Sequence, residues 1–191
     1  MKALSMDAPD RTADSLRKAL RGVASTVTII STEVAHHRFG MVATAVMPVS
    51  MEPPTLAIGV NRTASIHDRL QERGSFAVNI LSRWNHAMVR GFASASGEAR
   101  FAHGVWSSHQ SADAHVEGLP LLANAQASIL CKIASASQVG THTLFVAEVA
   151  DVIYISDCNP LVYCDGNYGM VSSLPKTAEQ MNRLGLMTAV A

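Results

Sequence analysis

Thr26-Val27-Thr28-Ile29-Ile30-Ser31-Thr32 decides the fold class of this 191-residue chain. Six of its seven residues are β-branched, stiff at χ1 and suited to a pleated surface, so the segment is a strand. The polar patch Glu33 to Arg38 turns the chain into a second strand-like run, Phe39 to Ser50, and the two are expected to form a hairpin. Pro53 and Pro54 then interrupt pairing before Thr55 to Val60 (TLAIGV), a short apolar run that suits a buried strand. Phe76 to Leu81 (FAVNIL), Ala127 to Ile133 and Thr143 to Ile155 are further strands, and Pro160 to Gly169 closes the domain.

Helical periodicity is confined to short stretches between these strands. Leu16, Ala19, Leu20 and Val23 recur at three and four, which predicts an amphipathic helix over Ala13 to Arg21 with Gly22 as its stop. Ser65 is placed to cap a helix over Ile66 to Arg73 that Gly74 ends. Trp84 to Ala93 is a weaker helical stretch with Trp84, Met88 and Phe92 four apart, and residues 94–124 form a long excursion. Thr177 and Gln180 have capping-box spacing for a last helix from Ala178. Many short strands without βαβ alternation predict a mainly β fold, a closed antiparallel barrel with peripheral helices. Residues 1–12 read as a flexible tail, 13–171 as the barrel domain and 172–191 as a C-terminal helix or tail.

Fifteen Lys+Arg balance fifteen Asp+Glu, which removes the broad positive field of a general nucleic-acid binder. A 48% hydrophobic content opposes disorder and, with zero net charge, favours covering part of the surface in an oligomer. Cys131, Cys158 and Cys164 contain no C-x-x-C pair and form neither a disulfide framework nor a zinc ribbon. No apolar run approaches the ~18 residues of a membrane helix, and acidic residues interrupt the first 25, so a soluble cytoplasmic protein without membrane or nucleic-acid partners is expected. H-E-x-x-H, G-x-S-x-G and the glycine-rich phosphate loops are all missing, and no metal site is expected.

Four groups of residues carry candidate chemistry. Gly40, Ala43, Thr44 and Ala45 are small enough for a flat ring to approach the backbone, though the same composition suits a tightly packed strand. Asn61-Arg62-Thr63-Ala64-Ser65 ends a strand and starts a helix, and reads either as a phosphate pocket or as an ordinary cap beside a solvated arginine. Six arginines face three acids between residues 62 and 100, and Arg90 stands out in its Arg-Gly-Phe-Ala setting. His142 precedes a strong strand, either facing a ligand at the strand mouth or exposed in a surface loop.

The order of these segments resembles the flavin reductase family, the short-chain NAD(P)H:flavin oxidoreductases. The matching pieces are Val23 to Ser31, Gly40-Met41-x-Ala43-x-Ala45, Val49-Ser50-x-x-Pro53-Pro54, Asn61-Arg62-x-x-Ser65, Phe76-x-Val78-Asn79-Ile80-Leu81, Phe92-Ala93, Gly140-x-His142-Thr143-Leu144-Phe145, Glu148-Val149 and Pro160-Leu161-Val162-Tyr163. They span about residues 16 to 171. The resemblance implies an FMN-binding split barrel, normally a homodimer with flavin near the subunit interface. It implies that Met41 to Ser50, with Met41, Ala43, Thr44, Ala45 and Ser50, lines the isoalloxazine ring. Asn61, Arg62 and Ser65 would approach the ribityl phosphate, and Arg90, Phe92 and Ala93 would hold the phosphate or the rest of an FAD. His142, in the position of the family's Gly-Asp-His motif, would lie near the nicotinamide, with Tyr168 at the same mouth. The chain departs from the pattern at Thr141, where the family has Asp, and at Val42 and Thr44.

The implied activity is reduction of FMN or FAD by NADH or NADPH, with reduced flavin passed to a partner monooxygenase. Hydride transfer is the flavin's own chemistry and needs no acid or base triad, in keeping with the scarcity of catalytic motifs. His142 would place the nicotinamide and move no proton. A non-catalytic flavin-binding protein, or an enzyme that keeps its flavin while acting on an organic substrate, are the alternatives.

Overall fold

The computed structural model describes residues 8–154 and 158–174. The expected helix from Ala178 lies outside them. Helix α1 (Ala8–Leu20) starts five residues before its expected first residue, because Pro9 falls in a first turn where a missing N–H breaks no bond. Strands β1 (Ser25–Thr26), β2 (Thr28–Val34), β3 (His37–Ala43), β4 (Val46–Met51) and β5 (Pro54–Asn61) follow, and then α2 (His67–Arg73) and β6 (Ser75–Ile80). A 3-10 turn (Arg83–Asn85) leads into α3 (His86–Ser94), and a second 3-10 segment covers Gly97–Ala102. The excursion holds a short antiparallel pair, β7 (Trp106–Ser108) and β8 (Pro120–Leu122). Two 13-residue strands, β9 (Ala127–Val139) and β10 (His142–Tyr154), precede the closing hairpin of β11 (Leu161–Cys164) and β12 (Asn167–Met170).

Seven strands form one antiparallel sheet in the order β3-β2-β6-β9-β10-β5-β4. Its two end strands, β3 and β4, are consecutive in sequence and separated by Thr44 and Ala45 alone. The run Phe39 to Ser50 is thus one chain path with two pairings, bonded to β2 before the corner and to β5 after it, and this closes the sheet into a split barrel. The corner is set by closure and not by local propensity.

Alternation along the strands sorts two cores. Ile30, Leu56, Ile58, Val78 and Phe145 fill the barrel, with Phe39, Met41 and Val46 packed against them. On the other face of β2 and β3, Val27, Ile29 and Val42 meet Phe92, Phe101 and Leu122. Gly40 allows this second layer to seat, since a Cβ there would lie 2.7 Å from the Phe92 ring. Buried Asn79 ties the layers together: its amide donates to Ser31 Oγ and Ile29 O, and its oxygen accepts from Leu122 N and Ser128 Oγ. Helix α2 carries Ile66 and Leu70 into the barrel core, and Gly74 ends it at φ 73°.

Residues 134–139 were not expected as strand. Exposed and rich in Ser and Ala, they pair with β10 because the hairpin turn at Gly140 and Thr141 sets the register of both long strands.

Candidate functional site

The corner of the bent strand is held from both sides. Thr28 Oγ1 donates to Ala43 O at 2.8 Å, and Gly59 N donates to Ala45 O at 3.0 Å. Thr44 between them is exposed and lines three clefts. One of ≈ 580 Å³ opens over the barrel interior beside Thr26, Thr28, Gln126 and Cys158. A second of ≈ 600 Å³ runs past Ala45 to Arg17, Arg21 and Tyr163, and a third of ≈ 190 Å³ joins Thr44 to Val42, Ala43 and Tyr168. Ala43, Thr44 and Tyr168 therefore share one recess, and Ala45 lines the neighbouring cleft that meets it at Thr44 and Tyr163. Met41 does not point there, because its place in the alternation sends its side chain into the barrel core. Ser50 is at the opposite end of β4, where its hydroxyl donates to Glu52 O and accepts from Glu52 N in the turn to β5.

The end of β5 meets the start of β10. Asn61 and His142 are cross-strand partners, and Arg62 N donates to Thr141 O at 3.0 Å. Asn61 Oδ1 accepts from Thr63 N and Thr63 Oγ1, an Asx turn that shapes the bend. The expected cap at Ser65 does not form. Backbone bonds from Ala64 N to Asn61 O and His67 N to Ala64 O close the entry turns and place Ile66, whose side chain has no polar group to cap with, at the N-cap. The exposed hydroxyl of Ser65 is left facing solvent beside exposed Arg62 and Thr63.

His142 is exposed, with Nδ1 3.0 Å from Thr141 Oγ1. The residue that departs from the family pattern thus gives the ring a neutral hydroxyl partner where an aspartate would give a charged one. Gly140 supplies the positive φ, 56°, that a two-residue hairpin loop needs.

Sequence reasoning passed over His67. It is buried, with Nδ1 2.7 Å from Asp68 Oδ1 and Nε2 2.8 Å from Thr143 Oγ1. A carboxylate can only accept, so Nδ1 carries the proton, and in the neutral ring Nε2 accepts from the Thr143 hydroxyl. An aspartate directly after a histidine at a helix start was the available signal.

The α3 residues lie apart from the recess. Phe92 is fully buried, stacked edge-on to Phe101 and beneath Gly40, so its ring supports β3 from behind and presents no surface to a ligand. Arg90 and Ala93 are exposed on the same helix, and neither lines a cleft with Thr44. Among the described residues no three His, Cys, Asp or Glu side chains gather as a metal site, and no helix is long and apolar enough to cross a membrane.

Comparison with known proteins places this arrangement. Residues 20–172 match the family model described as flavin reductase like domain. The chain is 36% identical over 155 residues to the FMN reductase (NADH) RutF of Pseudomonas syringae pv. syringae (strain B728a), covering 81% of this chain and 84% of that protein. It is 33% identical over 164 residues to the reductase component of the FADH(2)-dependent resorcinol hydroxylase of Rhizobium sp. (strain MTP-10005), covering 84% and 88%. Among solved structures, the NADH:FAD oxidoreductase SgcE6 of Streptomyces globisporus superposes with a TM-score of 0.77 at 26% identity, covering 91% of this chain and all of that one. A split barrel closed at Thr44, the ordered motifs along it and the match across residues 20–172 agree: the chain belongs to the flavin reductase family of oxidoreductases.

Proposed function

We propose that the chain reduces FMN or FAD with NADH or NADPH and releases the reduced flavin to a flavin-dependent monooxygenase. The observation that carries this is the convergence of the Thr44 corner, the Asn61–Ser65 turn and the Gly140–His142 hairpin through β5, which pairs with β4 on one side and β10 on the other. Curated relatives named as an NADH-dependent FMN reductase and as a hydroxylase reductase component support FMN, NADH and an oxygenase partner.

The residues present suit a flavin. Arg62 and Ser65 put a guanidinium and an exposed hydroxyl on one turn, the donor chemistry of a phosphate site, while the Thr63 hydroxyl donates to Asn61 Oδ1 and shapes that turn. Ala43, Thr44 and Ala45 offer a small-residue ledge, and Tyr168 walls its Ala43–Thr44 end. When bound, the flavin supplies the hydride-accepting ring system. The chain's part is placement: the ledge orients the ring, Asn61, Arg62 and Ser65 hold the phosphate, and His142, steadied by Thr141, positions the nicotinamide. Met41, Ser50 and Phe92 contribute to the frame, and Arg90 and Ala93 would contact ligand from outside the recess.

A homodimer is part of this reading. Met47, Val49 and Met51 are 55%, 52% and 77% exposed on β4, at the end of the sheet, an apolar surface that a second copy would cover. The cytoplasm, which supplies NAD(P)H, is the compartment this chemistry needs. Mixing the purified protein with NADH, NADPH, FMN and FAD tests the function. Nicotinamide oxidation with at least one flavin is expected, and none above the free-flavin background would reject it. Retention of one yellow equivalent through gel filtration would instead favour the bound-flavin alternative.

A further inference from the structure

Strand β10 changes its support along its length. From Ala147 onward it pairs with the part of β9 that reaches back to β6, whereas from His142 to Val146 it pairs with Val139 to Ser135. Among the described residues that stretch of β9 has no second strand partner, since the pairing with β6 ends at Lys132. A break in register between Val146 and Ala147 divides the two parts of the hairpin. Such irregularities bend a strand and re-aim the side chains beyond them. The tip that carries His142 therefore needs a constraint besides its backbone pairing.

A side-chain bond from α2 supplies it. Thr143 is 4% exposed and shares a face of β10 with fully buried Phe145, while His142 and Leu144 alternate to the exposed face. His67 Nε2 lies 2.8 Å from Thr143 Oγ1, and the His67 ring packs against the Phe145 ring with centroids 5.7 Å apart. Ile66 and Leu70 anchor α2 in the barrel core on either side of His67, so the ring is held independently of the hairpin. Asp68 Oδ1 keeps the proton on Nδ1 and leaves Nε2 to accept the Thr143 hydroxyl. Aspartate, histidine and threonine bonded in series have the composition of a nucleophile triad, but Thr143 is buried and lines none of the clefts at the Thr44 corner.

We infer that His67 is a positioning residue for the nicotinamide: by holding Thr143 inward it fixes the phase of the β10 tip, and with it the outward aim of His142, while Asp68 sets the tautomer that makes the bond. A twist of the tip that took Thr143 away from His67 would carry His142 with it. The inference rests on the proposed place of His142 at the nicotinamide and adds to it residues that touch neither ligand.

The test measures dissociation constants of NADH, on flavin-free protein, and of FMN for the wild type, Thr143→Val, Thr143→Ser, Asp68→Ala, His142→Ala and the Thr143→Val, His142→Ala pair, with nitrogen NMR of labelled histidine rings to report the His67 tautomer. Thr143→Val keeps the side-chain shape and should weaken NADH about threefold, within the range of one neutral hydrogen bond, with FMN unchanged. Thr143→Ser keeps the hydroxyl and should bind NADH as the wild type does. Asp68 is 82% exposed, so Asp68→Ala leaves the core untouched; it should mix the His67 tautomers and weaken NADH by less. In the His142→Ala background Thr143→Val should cost nothing more, as for two residues acting through one contact. An additive loss, an equal loss for FMN, or NADH affinity unchanged by Thr143→Val overturns the inference, and a His67 tautomer indifferent to Asp68→Ala overturns the part given to Asp68. The expected affinities in a protein that reduces neither flavin would uphold the positioning role and reject the reductase reading.

Discussion

His67 Nε2 and Thr143 Oγ1 lie 2.8 Å apart, joining the first residue of α2 to the strand residue that follows His142. Since Arg62 N also bonds Thr141 O, the turn that starts α2 and the hairpin that carries His142 are fastened to each other at two points. Thr143→Val keeps the shape and leaves the buried His67 nitrogen without a partner. A loss of about 1–3 kcal/mol is expected from urea unfolding, the cost of an unsatisfied buried group. A midpoint within error of wild type would show that the contact contributes nothing.

His142→Ala removes the exposed ring and leaves the backbone pairing with Asn61. The KM for NADH should rise about fivefold, the scale of one neutral hydrogen bond, while flavin affinity stays unchanged. Thr141→Val, which removes the hydroxyl 3.0 Å from Nδ1, should shift the same constant in the same direction by less. Equal losses in flavin affinity would assign both residues to the frame.

Gly40→Ala would place a methyl 2.7 Å from the Phe92 ring and 3.2 Å from that of Phe101. Both rings are buried, so neither has open space to move into. Overpacking of this kind costs about 1–3 kcal/mol, which thermal unfolding would record as a lower Tm. Phe92→Leu in the same background should restore part of it.

Burial pushes the Cys131 thiol up to about 12 from its ordinary 9.0. The folded chain then keeps a proton that the unfolded chain loses, so this contribution to stability is complete below pH 9 and declines as pH rises toward 12, by about 1.4 kcal/mol per unit. Alkaline unfolding curves should show that decline, and Cys131→Ala should flatten it from a lower starting point. In native protein at neutral pH a thiol reagent should modify exposed Cys158 and spare Cys131 until denaturant is added.

Strands that follow local chemistry were legible. Thr26 to Thr32, Thr55 to Val60 and Phe76 to Leu81 are β-branched or apolar runs, and β2, β5 and β6 occupy them. The bend at Thr44 was not legible, because Ala43-Thr44-Ala45 has no breaker and the corner follows from pairing two distant partners. Ser65 looked like a cap because its residue type and position allowed it, yet the Asx turn at Asn61 had already settled the helix entry. Phe92 was drawn toward a ligand by the motif it sits in. Its spacing from Val89, which puts both on the buried face of α3, indicated core. His67 and Thr143, 76 positions apart, met through tertiary pairing that no local pattern reports.

The corner between β3 and β4 also limits how the chain can change its length. Val46 and Pro48 line the barrel mouth while Met47 and Val49 look outward, and this parity is counted from Ala43 through two residues. One inserted or deleted residue at Thr44–Ala45 would exchange the two sets up to the register shift between Pro48 and Ser50, turning Met47 inward and Val46 and Pro48 outward. Length variation is therefore expected in the exposed hairpin at Gly140 or in the excursion after α3, and not at this corner, whatever side chains occupy it.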